Sequence, residues 1–373
     1  MQGYYIFFGS KSSGVYNKVN MQIHEFKTIS KIELITMALG RRTIWDKLKS
    51  RVVWLPLGFD YSIVISKIKN PDYIYIRRFT ADSSFIKFLS YIKATYPKCK
   101  IVIEVFTYPY DKDDYSRNTI HFIRQLPFYA KDLIYRRKYR KYVDRIVTYS
   151  KDNLIFGVET IKTSNGVYVD QINKKNSNMH IDSKTIYLTS VAHMQVHHGF
   201  ERLIKGIANY YNNGGKREII YNVVGDGVEV KKYKKMVTKY GIESHVLFHG
   251  KLIGDELDNV YNHTDIAVSS LGLYKYKINT ISTLKEGEYL AKGLPTIAGC
   301  KISLICDEEP PFILVFSNDS SPINIDRIID FYDNIYMRED KEKIVDEIRS
   351  FAKTNVDMPV VMQPIIQYLT AKE

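Results

Sequence analysis

The chain has 373 residues, 45% hydrophobic and 25% charged, which suits two globular domains and excludes collagen-like, disordered and disulfide-scaffold proteins. Fifty-four Lys and Arg against 41 Asp and Glu give a net charge of +13, which favours partners that carry phosphate. Three cysteines, Cys99, Cys300 and Cys306, cannot form a disulfide framework. We see neither a secretory leader nor an apolar run of membrane-spanning length, so we expect a cytoplasmic protein.

Short β-rich runs alternate with helical periods along the chain, which is typical of βα units and parallel sheets. The predicted strands of the first half are Tyr4 to Phe8, Ile32 to Ala38, Tyr73 to Arg77, Lys100 to Phe106 and Arg145 to Tyr149. Those of the second half are Thr185 to Thr189, Glu218 to Val224, Val246 to Phe248, Ile266 to Ser269, Thr296 to Ala298 and Phe312 to Phe316. The sequence therefore predicts an α/β fold with two Rossmann-like βαβ domains facing each other across a cleft.

A polar stretch from Asp170 to Lys184, after Asn165-Gly166, has the composition of an interdomain linker. We assign residues 1–165 to one domain, 166–340 to a second, and 341–373 to a helical segment that packs back on the first. Ligands of open parallel sheets bind beyond the carboxyl ends of the strands. Two such edges could hold a donor and an acceptor together.

The segment STLKEGEYLAKGLPTI, Ser282 to Ile297, predicts a helix that Ser282 caps and Gly293 ends. A diphosphate at its start would meet the backbone amides of Ser282, Thr283 and Leu284, the positive end of the helix dipole and the Lys285 ammonium. Glu288, on the same helix face, could accept hydrogen bonds from ribose hydroxyls. The alternative is a surface helix with an ion pair between Lys285 and Glu288.

Two turns rich in small residues follow predicted strands. Gly225 and Gly227, flanking Asp226, would let the backbone approach a nucleotide closely, and the alternative is an ordinary βα turn. In the first half, the loop that contains Ser13 and Gly14 could bind a phosphate or the acceptor, or could likewise be a tight turn.

Three histidines, His193, His197 and His198, follow the strand that ends at Thr189. No second element supplies further ligands at metal-binding spacing, so we expect histidines at the edge of the cleft, with His198 near phosphate, rather than a zinc site.

The stretch Asp111-Lys112-Asp113 has a spacing that some sugar transferases use to hold a divalent ion, but such loops are usually only solvated. We therefore predict no metal. Glu104, Thr107 and Asp111, at a strand end, are candidate acceptor contacts.

Residues 131–145, KDLIYRRKYRKYVDR, hold seven basic residues interleaved with tyrosines on a predicted helix. Such a face could lie on an anionic membrane surface, where a lipid-linked acceptor would be found. It could instead bind nucleic-acid phosphates or simply be solvated.

Six motifs in the second half, in order, resemble the family 4 glycosyltransferases. They are SNGV (164–167), HHGFERLI (197–204), VVGDG (223–227), GIESHVLFHG (241–250), YNHTDIAVS (261–269) and EYLAKGLPTIAG (288–299). GVYNKV (14–19) is the best match in the first half, and the whole is similar to enzymes of bacterial capsule and exopolysaccharide synthesis.

The resemblance implies the B-type glycosyltransferase fold, with the acceptor on the N-terminal domain and a nucleotide-diphosphate sugar on the C-terminal domain. It implies transfer of a hexosyl or related group to a glycan, expected to be lipid-linked, with retention of configuration and without a cofactor. It puts Glu288 on the ribose, whereas Thr280 replaces the usual partner glutamate. Because His193 and His198 replace the usual arginine and lysine, the diphosphate role shifts to Lys285.

We take Lys285, Thr107 and Asp111 as candidate catalytic residues and expect a cytoplasmic enzyme at the inner face of the cell membrane. The resemblance implies no nucleic-acid partner. The alternatives are a sugar-nucleotide epimerase of the same fold, a basic nucleic-acid-binding module and an inactive relative.

Overall fold

The computed structural model describes residues 1–10, 15–39, 43–110, 119–176, 184–304, 310–337 and 340–371. The chain divides into two compact units. Unit 1 comprises Met1–Ser164 with Val361–Glu373, and unit 2 comprises Asn165–Val360. Three of the predicted site residues lie outside the described part of the chain: Ser13, Gly14 and Asp111.

The sheet of unit 1 is almost entirely parallel. Its strands are β1 (Gln2–Phe8), β2 (Lys31–Met37), β3 (Tyr73–Arg77), β4 (Lys100–Val105), β5 (Arg145–Thr148), β6 (Leu154–Ile155) and β7 (Val158–Lys162). The spatial order is β2-β1-β3-β4-β5-β7-β6, and the short β6 pairs antiparallel with β7. Every residue of β3 is buried, and all but Arg77 are aliphatic or aromatic, because helices cover both faces of a parallel sheet.

Five helices of unit 1 are described before the connection to unit 2: α1 (Tyr16–Phe26), α2 (Ile44–Arg51), α3 (Tyr61–Lys67), α4 (Ser83–Thr95) and α5 (Thr119–Arg136). Asp82 caps α4 by accepting a 2.7 Å hydrogen bond from the Phe85 amide. Its other oxygen accepts from the Leu57 amide at 2.6 Å, so one buried carboxylate fixes both the helix start and the segment that precedes α3.

The main sheet of unit 2 is wholly parallel. Its strands are β8 (Thr185–Val191), β9 (Glu218–Val224), β10 (Val246–Gly250), β11 (Ile266–Val268), β13 (Thr296–Ala298) and β15 (Ile313–Val315). The order β10-β9-β8-β11-β13-β15 is the doubly wound Rossmann order. The short strands β12 (Thr280–Ile281) and β14 (Lys301–Ile302) form a separate parallel pair.

The helices of unit 2 are α6 (Glu201–Asn212), α7 (Val230–Tyr240), α8 (Gly254–Asn262), α9 (Leu284–Ala291), α10 (Ile325–Tyr336) and α11 (Lys341–Asn355). Their apolar faces and the sheet form one core, with Leu188, Ile204 and Ile328 fully buried. The two Rossmann-like parallel sheets predicted from the sequence are therefore confirmed.

The last helix, α12 (Met358–Thr370), begins in unit 2 and ends in unit 1. At its start the Met358 amide donates to the Val167 carbonyl at 2.9 Å, within unit 2. At its end the Lys100 ammonium donates to the carbonyls of Tyr368 (3.0 Å) and Ala371 (2.8 Å), within unit 1. The segment that groups with the first domain is thus shorter than the predicted 341–373, because α11 packs on α9 in unit 2.

The stretch predicted as a linker is docked on unit 2 over its described part. The Lys175 amide donates to the Lys292 carbonyl at 2.9 Å, and its buried ammonium donates to the Thr264 carbonyl. The Asn176 amide donates to Asn262 Oδ1 at 2.9 Å. These polar residues form hydrogen bonds within unit 2. Composition alone does not show whether a polar residue bonds to the protein or to water.

Candidate functional site

The strand order of unit 2 reverses between β8 and β11, which pair although β9 and β10 intervene in the chain. Such a switch point leaves a crevice beyond the carboxyl ends of the two strands, because their connections leave toward opposite faces of the sheet. Three stretches meet here: the loop after β8 (192–199), the loop after β11 (269–273) and the start of α9 (282–288). We call them the switch-point site.

The two loops of the switch-point site touch through their backbones. The Leu271 amide donates to the His198 carbonyl at 2.7 Å. A Cβ on Gly199 would lie 2.4 Å from the Cα of Gly272, so neither position has room for a side chain. Gly199 also has a φ of +61°, where glycine meets no steric penalty. The glycines therefore hold the loops in one fixed arrangement.

The start of α9 is capped by Thr283 and not, as predicted, by Ser282. The Thr283 hydroxyl accepts from the Glu286 amide, and the Glu286 carboxylate accepts from the Thr283 amide at 2.9 Å, which is a complete capping box. The Ser282 hydroxyl instead accepts a 2.9 Å hydrogen bond from the Asn165 amide. The Thr283 amide is therefore taken, and the first-turn amides that remain for a ligand are those of Leu284 and Lys285.

Glu286 and Lys285 join α9 to the loop after β11. The buried Glu286 carboxylate accepts from the Ser269 hydroxyl, and Lys285 Nζ donates to Ser270 Oγ over 3.4 Å. Burial lowers the pKa of Lys285, and the acidic neighbours Glu286 and Glu288 oppose this shift. A further anion placed near this ammonium would stabilise its charged form.

Glu288 is half-buried one turn further along α9. Burial raises the pKa of its carboxyl group, and the nearby Glu286 adds to the increase. Among the described residues no ion pair within 4 Å joins Glu288 to Lys285, although the positive charge of Lys285 partly opposes the increase. A carboxylate can accept hydrogen bonds from hydroxyl donors such as those of a ribose, and contact of Glu288 with a ribose stays a prediction.

His198 is only 6% exposed and is held as a neutral imidazole. Its Nδ1 accepts a 2.9 Å hydrogen bond from the Gln195 amide, which leaves the ring proton on Nε2. Burial, together with the positive charges of Lys285 and His197, lowers its pKa to about 2. At neutral pH His198 is therefore a hydrogen-bond donor through Nε2 and contributes no charge of its own.

The Gly-Asp-Gly turn after β9 packs against the loop after β8. Gly225 and Gly227 have φ values of +123° and +134°. A Cβ at these positions would lie 1.9 Å from the Ala192 carbonyl oxygen and 2.4 Å from that of Met194. Close approach of the two loops, rather than of a nucleotide, already requires both glycines.

The side chains at this turn are exposed. Asp226 Oδ1 lies 2.7 Å from His193 Nδ1, and this hydrogen bond lowers the pKa of the carboxyl group. His193 thus faces a carboxylate and stands apart from the buried His198. Contact of either exposed side chain with a nucleotide stays a prediction.

Glu104, predicted to contact an acceptor, is instead fully buried in unit 1. Lys18 Nζ and Arg77 Nη1 both lie 2.9 Å from its Oε1, and the Tyr149 hydroxyl donates to the same oxygen at 2.6 Å. Although burial alone would raise the pKa of Glu104, the two cations hold it well below its usual range. The prediction is therefore corrected, because the carboxylate is saturated by internal partners.

The basic stretch 131–145, predicted as one helix with a basic face for an anionic membrane surface, is not one continuous helix. Helix α5 ends at Arg136, and a single turn of 3₁₀ helix, Tyr139–Lys141, follows. Lys131 is completely buried and Arg136 nearly so, because Asp132 and backbone carbonyls bind them. Only part of the predicted basic face is available to a surface.

Thr107 is half-buried just beyond β4, and its predicted role as a catalytic or acceptor-contact residue stays a prediction.

Arg202 belongs to the motif HHGFERLI but was not predicted to be a site residue. Its guanidinium is 1% exposed and donates to the carbonyls of Leu271 (2.7 Å), Ser317 (2.9 Å) and Ser321 (2.7 Å). It therefore ties the loop after β11 to the loop after β15. The arginine of HHGFERLI was visible, but its three carbonyl partners lie over 60 residues away and carry no sequence signal.

No group of three or more His, Cys, Asp or Glu side chains able to hold a metal occurs within the described residues. The Asp111-Lys112-Asp113 stretch falls outside them. Likewise, none of the helices within the described ranges combines the length and the apolar character needed to cross a membrane.

Residues 171–275 match the family described as glycosyl transferases group 1. This segment lies in unit 2 and contains the loops after β8, β9 and β11. A curated relative, protein CapJ of Staphylococcus aureus, is 28% identical over 137 residues, which cover 35% of this chain and 31% of CapJ. The matched part thus spans about a third of the length of that relative.

Two solved structures share the fold across nearly the whole chain. HepE of Anabaena, in complex with UDP, is 14% identical with a TM-score of 0.63 and covers 99% of this chain and 100% of its own. Sucrose-phosphate synthase of Thermosynechococcus elongatus is 12% identical with a TM-score of 0.64 and covers 99% of both chains. The fold is that of the B-type glycosyltransferases.

The family resemblance predicted from the motifs is therefore confirmed: residues 171–275 carry the signature of the group 1 glycosyltransferases.

Proposed function

We propose that the chain transfers a sugar from a nucleotide-diphosphate donor to a glycan acceptor, with retention of configuration, in the synthesis of a surface polysaccharide. The observation that carries the proposal is the switch-point site, where Lys285, Glu288 and the neutral His198 surround the open start of α9. The match to the group 1 family supports the transferase class. The UDP bound to HepE supports a uridine nucleotide as the first donor to test.

The proposed donor lies with its diphosphate at the start of α9. The amides of Leu284 and Lys285 have no partner within the helix and lie at the positive end of the helix dipole. Lys285 supplies a full charge, and His198 supplies a neutral donor through Nε2. Glu288 binds the ribose hydroxyls, which offsets the burial that now raises the pKa of its carboxyl group.

The difficult step in such a transfer is the charge that develops on the leaving diphosphate. Donors that are already fixed in place stabilise this charge without reorganising. Here the loops after β8 and β11 are locked by the contact between Gly199 and Gly272, and the capping box fixes the start of α9. We propose that this set of donors replaces a metal ion.

The acceptor is proposed to be a lipid-linked glycan bound by unit 1, with the leaving phosphate assisting proton removal on the same face of the sugar. The candidate residues there are Thr107 and, outside the described part of the chain, Ser13, Gly14 and Asp111. Glu104 is no longer among them.

The donor site is tested by thermal shift with UDP, GDP and UDP-sugars, each with and without chelator. A ligand that binds only the folded state raises the melting temperature by mass action. Lys285→Met and Glu288→Gln should lose this increase. Lys231→Met, an exposed lysine of α7, is the matched control and should keep it. An equal shift in all variants would place the nucleotide elsewhere.

Product analysis separates the alternatives. Transfer to an acceptor, with the anomeric configuration followed by NMR, supports the proposal, whereas conversion of the donor without acceptor indicates an epimerase. Tight binding to single-stranded nucleic acid with a steep salt dependence, and no response to nucleotides, would indicate the nucleic-acid module.

A further inference from the structure

Helix α2 of unit 1 carries its apolar residues on the side that faces away from the protein. Ile44 and Trp45 are 76% and 72% exposed, and Leu48, one turn beyond Ile44, is also exposed. The residue that faces inward is Ser50, which is 1% exposed. In a surface helix of a globular domain the apolar stripe covers the core. Helix α2 has the opposite arrangement, because its apolar side chains are exposed and Ser50 is buried.

The apolar surface continues beyond the helix. Val52, Trp54 and Leu55 are all exposed, and Trp54 is 73% accessible. Together with α2 they form what we call the apolar-basic segment, residues 43–56. The chain has two tryptophans, and this segment presents both of them to solvent.

The segment is anchored to unit 1. The Lys131 ammonium, fully buried, donates to the carbonyls of Ser50 (2.7 Å) and Leu55 (2.6 Å). At the start of α2, Thr43 and Asp46 form a capping box. Because a buried ammonium without partners is costly, these two carbonyls must stay in place. The exposed side chains are thus displayed on a fixed backbone.

Positive charge accompanies the apolar side chains. Lys47, Lys49 and Arg51 are exposed in the same segment, whereas its one acid, Asp46, is engaged in the capping box. Tryptophan and aliphatic side chains beside lysine and arginine suit the interface of an anionic bilayer, where rings lie at the headgroup level and cations contact phosphate.

We propose that residues 43–56 dock unit 1 on an anionic phospholipid surface, with Ile44, Trp45, Leu48 and Trp54 inserted and Lys47 and Lys49 on the headgroups. This places the membrane contact on α2 and not on residues 131–145. The inference goes beyond the proposed function, because docking requires neither a nucleotide sugar nor transfer.

Charge favours a lipid surface over two other occupants. A second copy would bring the same basic segment, on a chain of net charge +13, against itself. Nucleic acid would satisfy the lysines but leave the aliphatic side chains Ile44, Leu48 and Val52 without apolar partners. Of these three occupants, only the bilayer interface complements both the apolar and the basic side chains.

The tryptophans supply a direct test, since both lie in the segment. The full-length protein is titrated with vesicles of phosphatidylcholine containing about 30% phosphatidylglycerol, and with vesicles of phosphatidylcholine alone. We expect a blue shift of the emission with the anionic vesicles, and quenching when the acyl chains carry bromine. An unchanged emission spectrum in the presence of sedimented, bound protein would overturn the proposal.

Variants separate the segment from general basicity. Lys47→Gln/Lys49→Gln should lower the affinity for anionic vesicles, measured by sedimentation, roughly tenfold or more. Each surface cation contributes on the order of 1 kcal/mol to the free energy of binding. Lys231→Gln/Lys235→Gln, on α7 of unit 2, should change it little. Equal losses in both pairs would refute a specific docking surface.

Two further measurements keep the outcomes distinct. Ile44→Ser/Leu48→Ser should weaken vesicle binding and leave the circular dichroism spectrum and the UDP thermal shift unchanged. Concentration-dependent dimerisation abolished by this variant, without vesicle binding, would identify a second copy as the occupant and overturn the proposal. A nucleotide response that fails while vesicle binding persists would count against the proposed function alone.

Discussion

The neutral state of His198 makes a prediction about the pH dependence of unit 2. The folded protein holds the pKa of His198 at about 2, whereas an unfolded chain has the ordinary value of about 6.5. Between these values the unfolded state binds the proton and the folded state does not, so folding is weakened as the pH falls below about 6.5. Above that pH both states are neutral and the effect disappears.

The size of the effect follows from the linkage relation. Between about pH 7 and pH 5 the loss is about 2 kcal/mol, because the proton is bound only in the unfolded state. For a unit of roughly 200 residues, this corresponds to a fall in melting temperature of roughly 4–8 °C.

The variant His198→Asn isolates this contribution. Asparagine offers an oxygen near the position of Nδ1, so it can still accept from the Gln195 amide, but it does not titrate. Calorimetric scans of both proteins at several pH values should show a smaller fall for the variant. His24→Asn, an exposed histidine of α1, is the control and should follow the native protein. Parallel curves for native protein and His198→Asn would refute the neutral buried state.

Three further substitutions test how each unit is held together internally. Glu104→Leu leaves two buried cations without their carboxylate and should lower the unfolding free energy of unit 1 by about 3–5 kcal/mol in urea titrations, with partial recovery on adding Lys18→Met. Gly225→Ala, which drives a Cβ into a neighbouring carbonyl, should abolish the UDP thermal shift or the fold of unit 2, whereas Gly241→Ala, in open space at φ +65°, should cost only about 1 kcal/mol. Arg202→Lys, which cannot reach three carbonyls, should lower the melting temperature of unit 2 by several degrees.

These substitutions can also fail in informative ways. An unfolding free energy unchanged by Glu104→Leu would mean that the cluster is hydrated rather than buried. Equal effects of Gly225→Ala and Gly241→Ala would mean that backbone conformation, and not the contact with the loop after β8, requires the glycine. An unchanged melting temperature for Arg202→Lys would show that the loops are held by other bonds.

Buried parallel strands were the most predictable part of the fold. Tyr73 to Arg77, Glu218 to Val224 and Thr296 to Ala298 have the predicted bounds, because strands covered on both faces are rich in aliphatic and aromatic residues. Helix α2 was not predicted, since its apolar stripe faces outward and its neighbours in the sequence are basic. The two-residue strands β12 and β14 are too short to have a pattern.

The candidate site was predictable where function depends on one short segment and not where it depends on distant partners. The start of α9 was placed within one residue, because the choice between Ser282 and Thr283 as the cap depends on which hydroxyl reaches Glu286. The position of Glu104 at a strand end suggested a contact with ligand. Its internal partners Lys18, Arg77 and Tyr149 lie 86, 27 and 45 residues away in the chain, and no local sequence pattern predicts these contacts.

The course of α12 has a consequence for the order of events during synthesis. Lys100 is made early, but the carbonyls of Tyr368 and Ala371 that accept its hydrogen bonds leave the ribosome 268 and 271 residues later. The part of unit 1 around Lys100 stays uncovered until α12 has been made. Most of unit 2 is made before α12 and can fold earlier. A fragment that ends at Ser164 lacks α12, so this part of unit 1 would stay uncovered. A fragment that reproduces the native unit 1 therefore needs α12 attached to it.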